Sequence, residues 1–88
     1  MYKVTVLTSG KYANVELGER YCLTRKTAIK LANTFLQSDC DLMIAKLVRC
    51  GDVFYWSEAW EDTHIVFEED DNGCVFLARK ANKWELGF

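Results

Sequence analysis

Eighty-eight residues leave room for one small domain, in which about 64% of the surface of the unfolded chain is expected to become buried. That size excludes a doubly wound dinucleotide fold, an eight-stranded α/β barrel and a cleft between two domains, so a substrate pocket would have to be shallow or shared between subunits. Half of the residues are apolar, 27% are charged and 14% are aromatic, and the net charge of -2 divides into +4 over residues 1–50 and -6 over residues 51–88; this composition is globular, and its balance disfavours a general binder of phosphate backbones.

The first predicted element is a strand over residues 2–8, where β-branched residues alternate and Tyr2, Val4 and Val6 share one face. Ser9, Gly10 and Lys11 offer a turn, and Tyr12 to Leu17 is expected to return as a second strand with Ala13, Val15 and Leu17 inward. Gly18 and Glu19 break it, and Tyr21 to Leu23 leads on to a helix. The spacing of Ala28, Ile29, Leu31, Ala32, Phe35 and Leu36 predicts that helix over 25–37. Thr24 caps its start and Leu23 can staple onto Ala28. Arg25, Lys26, Lys30, Asn33 and Gln37 fall on the wet side.

Residues 42–48 are apolar at nearly every position, which implies a strand covered on both faces, by the fold or by another subunit. Gly51 and Asp52 mark a hairpin into Val53 to Trp60, in which Phe54, Trp56 and Trp60 share one parity and Tyr55 the other. His64 to Glu68 forms a further strand, and Asp70 to Gly73 is the best-specified turn in the chain because Asn-Gly readily takes positive φ. Cys74 to Arg79 follows as a strand, and Trp84 to Phe88 alternates as an optional short last one. The expected fold is α+β: a single antiparallel sheet packed against one helix, in the order β-β-α-β-β-β-β, forming one compact domain over 1–88.

Cys22, Cys40, Cys50 and Cys74 contain no pair spaced by two to four residues, so no zinc motif is present. The N-terminus lacks the apolar core of a secretory signal, which favours a cytoplasmic protein with reduced thiols. No apolar run is long enough to span a membrane. The glycines are isolated, so neither a phosphate loop nor a dinucleotide fingerprint is present, and no cofactor is expected.

Candidate functional residues fall into four groups. His64, the one histidine, has neighbouring carboxylates but no nucleophile motif, so a non-enzyme is expected, with a small enzyme that has an intersubunit site and a structural protein with no discrete ligand as further alternatives. Glu68, Glu69, Asp70 and Asp71 are an uninterrupted acidic run that could dock a basic partner, and it lacks the spacing of a calcium loop. Lys11, Arg20, Arg25, Lys26 and Lys30, interleaved with Tyr12 and Tyr21, make the case for a nucleic-acid-binding module. The aromatic surplus, with Tyr55, Trp56 and Trp60 as candidate interface residues, is hard to bury under one thirteen-residue helix unless Trp84 and Phe88 close the remaining face. A small protein-protein interaction domain, an inhibitor or adaptor that pairs with itself as a homodimer or with another protein, is the favoured expectation.

Overall fold

The structure, a computed structural model, describes residues 1–8, 16–38 and 40–87. It is an α+β fold whose elements run β1 (Tyr2–Thr8), β2 (Glu16–Cys22), α1 (Arg25–Gln37), β3 (Cys40–Cys50), β4 (Val53–Ser57), α2 (Trp60–Thr63), β5 (Ile65–Glu69) and β6 (Val75–Lys80). The strands form two antiparallel sheets, one of four strands in the order β2-β1-β3-β4 and one of two, β5-β6. Among the described residues, therefore, the expected single sheet is divided.

Register explains which residues the large sheet buries. Tyr2, Val4 and Val6 of β1 stand opposite Cys22, Arg20 and Gly18 of β2 and opposite Lys46, Ile44 and Leu42 of β3. Directly opposed residues of antiparallel strands share a face. Tyr2, Val4, Cys22 and Ile44 form one buried cluster with Ala28 and Ala32 of α1, so this face looks at the helix. The two alanines keep the helix close to the strands, and Ile29, Leu31 and Leu36 pack around the cluster.

Helix α1 has the expected bounds. The Thr27 amide donates to Thr24 Oγ1 at 3.2 Å, and the Ser38 amide closes the other end on the Phe35 carbonyl at 3.0 Å. Two expectations about its flanks fail. Leu23 is 79% exposed, so it forms no buried staple. Asn33 is not a solvent-facing residue: its Nδ2 donates to the Ala78 carbonyl at 3.0 Å, and its Oδ1 accepts from the Ala78 amide at 2.6 Å. A strand residue directs its N–H and C=O to the same side, so the Asn33 amide takes the place of a neighbouring strand along the edge of β6. This contact, with Ile65 and Ala78 in the core cluster, holds the β5-β6 hairpin against the helix. The hairpin is a second small sheet because its edge meets a side-chain amide instead of another strand.

The second strand is displaced from its expected place. It runs from Glu16 to Cys22, and Gly18 lies within it opposite Val6, at an irregularity between Val6 and Leu7. Leu17 is exposed, and the residues expected to begin that strand, together with Lys11, lie outside the described residues. Both turns appear where the sequence puts them. Gly51 has φ +61° and Asp52 does not share a positive φ, the pattern of a type II′ hairpin. Gly73 has φ +79°, and Asp70 Oδ1 accepts from the Asn72 and Cys74 amides, both at 2.9 Å.

Two changes affect the aromatics. The β4 strand stops at Ser57, because Ser57 Oγ donates to Asp62 Oδ2 at 2.5 Å and accepts from the Ala59 amide at 3.2 Å, turning the chain into α2. Trp60 therefore begins a helical turn and leaves the strand. Residues 83–87 form turns where a last strand was expected, and Phe88 is outside the described residues. Trp84 is 89% exposed, so it does not close the sheet within the monomer.

Candidate interaction surface

With α1 on one side of the four-stranded sheet, the opposite side carries the other parity of each strand: Lys3 and Thr5 of β1, Glu19 and Tyr21 of β2, Met43 to Arg49 in alternation on β3, and Phe54 and Trp56 of β4. Of the described helices, α1 packs on the other side, and α2, which also touches β3, is tied to that same side through the Ser57 to Asp62 bond. Tyr21 is 59% exposed, Phe54 61% and Met43 42%. The smaller Thr5 and Ala45 lie sunk between these side chains and are buried.

The aromatic rings are organised. Trp56, opposite Leu47, reaches toward Tyr21, their ring centroids 5.7 Å apart and the planes tilted by 48°. The Lys3 ammonium sits 5.0 Å from the Trp56 ring, and the Arg49 guanidinium 5.8 Å from that of Phe54. Contacts of this kind hold flat rings in place at a modest gain of roughly 0.5–1 kcal/mol each. Tyr21 Oη donates to Glu19 Oε2 at 3.0 Å. That bond to an anion, with the carboxylate's charge, raises the Tyr21 phenol above its ordinary value. The result is a pre-arranged aromatic surface, a form that costs little entropy to bury against a partner.

Of the three aromatic candidates, only Trp56 belongs to this surface. Tyr55 points to the helix side of β4 beyond the reach of the core and is exposed, and Trp60 is exposed on α2. Tyr21, Phe54 and Met43 complete the surface; the sequence points to Tyr21 only as a companion of the basic residues and to Phe54 only by parity, and gives no signal for Met43. The parity of Phe54 was a usable signal, whereas the place of Tyr21 depends on β2 continuing through Gly18.

The acidic run is divided by the hairpin. Glu68 Oε1 accepts from Arg79 Nε, and Arg79 also holds Glu85 through paired bonds, one of them 2.9 Å long. These bonds, with one from the Asn82 amide, lower the Glu85 carboxyl below its usual range. Asp70 is occupied in the turn. Glu69 and Asp71 are exposed, and Glu69 lines a hollow of about 450 Å³ with Asp41, Leu7 and Met43.

The basic candidates also part company. Arg20 lies beside Val6, Leu17 and Phe35 on the helix side of β2. Arg25 donates to the Tyr2 hydroxyl at 3.3 Å and, with Lys26, lines a different hollow to which β6 contributes Lys80. Lys30 is exposed on α1. His64 closes α2 in the left-handed conformation, φ +53°, its amide donating to the Trp60 carbonyl at 3.1 Å and its carbonyl accepting from Ala81 at 2.9 Å. All four cysteines are free thiols. Among the described residues, no group of three or more His, Cys, Asp or Glu side chains is placed to hold a metal ion, and no helix is long and apolar enough to cross a membrane.

No family model, curated protein or solved structure matches this chain.

Proposed function

We propose that the chain is a protein-interaction module that acts through the open face of its four-stranded sheet, in the manner of an adaptor or inhibitor. The observation that carries this reading is the exposure of Tyr21, Met43 and Phe54 on the side of the sheet opposite α1, with the Tyr21 ring beside that of Trp56. Contiguous apolar surface rimmed by charge is the signature of a docking site, and aromatic anchors dominate the energetics of such sites. Lys3 and Arg49 are balanced on the same side of the sheet by Glu19 and Asp41, so the face lacks the positive excess that binding a nucleic-acid strand calls for, which favours a protein. A cytoplasmic setting suits four reduced thiols.

The reading is tested by placing a photo-crosslinking amino acid at position 54, 21 or 84 in the producing cell. A discrete protein adduct from positions 54 and 21, absent from the exposed control at Trp84, is the expected result. Absence of adducts at 54 and 21, or equal adducts at all three, overturns it. Salt-sensitive binding of single-stranded or duplex nucleic acid by the purified chain would favour the nucleic-acid reading instead.

A further inference from the structure

We infer that β4 is a docking edge, along which an extended segment of a partner protein, an uncharged apolar run between basic residues, pairs as a fifth strand of the large sheet. The inference stands apart from the reading of the open face, because it concerns the backbone of β4 at the rim of the sheet.

The Leu47 amide donates to the Met1 carbonyl at 2.9 Å. A strand residue directs its N–H and C=O to the same side, so Leu47 bonds toward β1 and away from β4. Trp56 stands opposite Leu47 and therefore makes no backbone bond to β3, and neither does Phe54 two residues before it. The N–H and C=O of both residues point out from the rim of the sheet, and among the described residues no other element bonds to them. Val53 is 64% exposed, Phe54 61% and Tyr55 46%, so side chains on both faces of the strand are open as well.

Open edges invite another strand, and folded proteins blunt them with charge, irregular register or a covering group. The other three rim strands are blunted. β2 carries Glu16, Glu19 and Arg20 and pairs irregularly at Val6 and Leu7. β5 ends in Glu68 and Glu69 with an irregularity between them, and the edge of β6 is occupied by Asn33. β4 has no charge, no proline and an unbroken register. What fits its outward groups is an extended strand, two alternate residues of which exchange hydrogen bonds with Phe54 and Trp56. Exposed apolar side chains on both faces of β4 call for a segment that is apolar on both faces too. The charged residues that flank β4, Asp52 and Glu58, are exposed acids, which suits Lys or Arg at each end of the segment. Arg49, one strand inward, is drawn to the Gly51 carbonyl and the Phe54 ring. The same acids disfavour a second copy. Two antiparallel β4 strands satisfy Phe54 and Trp56 in both copies only when centred on Tyr55, and that register sets Asp52 of each copy against Glu58 of the other, a destabilising opposition of like charges.

The probe is a displayed library of linear peptides of about nine residues, unrestricted in sequence and selected against the full chain. Peptides with an apolar run between Lys or Arg residues are expected to be enriched. At about ten times its dissociation constant, a selected peptide should slow amide exchange at Phe54 and Trp56 about tenfold. A chain assembled by ligation at Cys50 and Cys74, with N-methylated phenylalanine at position 54, keeps every side chain and every bond to β3. It is expected to fold, as circular dichroism reports, and to bind the peptide about tenfold more weakly. Enrichment of no peptide, or binding that the N-methyl group leaves unchanged, overturns the edge as a docking site. Enriched peptides that are acidic or lack the apolar run overturn the stated partner, and dimerisation of the chain alone through the same two amides overturns a foreign segment as the occupant. The open face is decided separately, by crosslinks from position 21, which lies two strands away from β4 on the far side of β1 and β3.

Discussion

Replacing Asn33 by alanine removes the amide that occupies the edge of β6. Ala78 is 1% exposed, so its N–H and C=O would both lose a partner in a place that water reaches poorly. Each stranded buried group costs about 1–3 kcal/mol. Alanine returns about half a kcal/mol in helix propensity, so the net loss for the two groups is about 1.5–5.5 kcal/mol. On a domain of this length, with a total stability of roughly 4–13 kcal/mol, that is a large fraction, and at about 4–8 °C per kcal/mol it corresponds to a fall in Tm of at least about 6 °C. Urea titration followed by circular dichroism should show a lower midpoint with an unchanged slope. Amide exchange at Ala78 should accelerate more than at Val4 in the large sheet, because the hairpin is released first. A stability change below about 0.5 kcal/mol, the scale of an ordinary surface substitution, would show that Asn33 does not hold the hairpin, and the account of the divided sheet would fail with it.

Other substitutions probe single elements. His64→Gly should stabilise the protein by about 0.5–1 kcal/mol, since φ +53° is strained for histidine and free for glycine; an unchanged or lower Tm would contradict this. Thr24→Ala should cost about 1 kcal/mol by removing the cap on the Thr27 amide, read as a shift in the urea midpoint. Glu85 has a depressed carboxyl pKa in the folded protein, so its contribution is present above the unfolded carboxylate range and disappears as pH falls through the folded value. The stability difference between wild type and Glu85→Gln should therefore be widest near neutrality and close in acid; a difference constant with pH would refute the Arg79 contact as its source.

Much of the fold is legible in the sequence where local chemistry decides it. The 3–4 spacing from Ala28 to Leu36 and the hydroxyl of Thr24 define α1, and Gly51 and Gly73 sit where positive φ is needed. The division into two sheets is not legible, because it turns on Asn33 meeting Ala78, 45 residues away. Asn33 in isolation reads as a solvent-facing residue of a helix. The end of β4 is similar: Trp60 continues a strand-forming composition, and only the Ser57 to Asp62 bond turns the chain. Gly18 reads as a strand breaker, yet it pairs with Val6 in a position open enough for a side chain.

The interaction surface was half legible. Alternation separates Phe54 and Trp56 from Tyr55, but which parity faces the helix depends on the register that sets Lys46 opposite both Tyr2 and Ser57. Alternation within one strand carries no information about that choice. Likewise the acidic run looks uniform in sequence, while the hairpin assigns Glu68 to Arg79 and Asp70 to the turn, leaving Glu69 and Asp71 exposed.

The central claim is that the open face is covered by protein in the working state, and hydroxyl-radical footprinting tests it most directly. Labelling of Tyr21, Phe54 and Trp84 would be compared between the assembly isolated gently from cells and the dilute purified chain. The account predicts protection of Tyr21 and Phe54 in the assembly with no change at Trp84; equal labelling of Tyr21 and Phe54 in the two samples would contradict it.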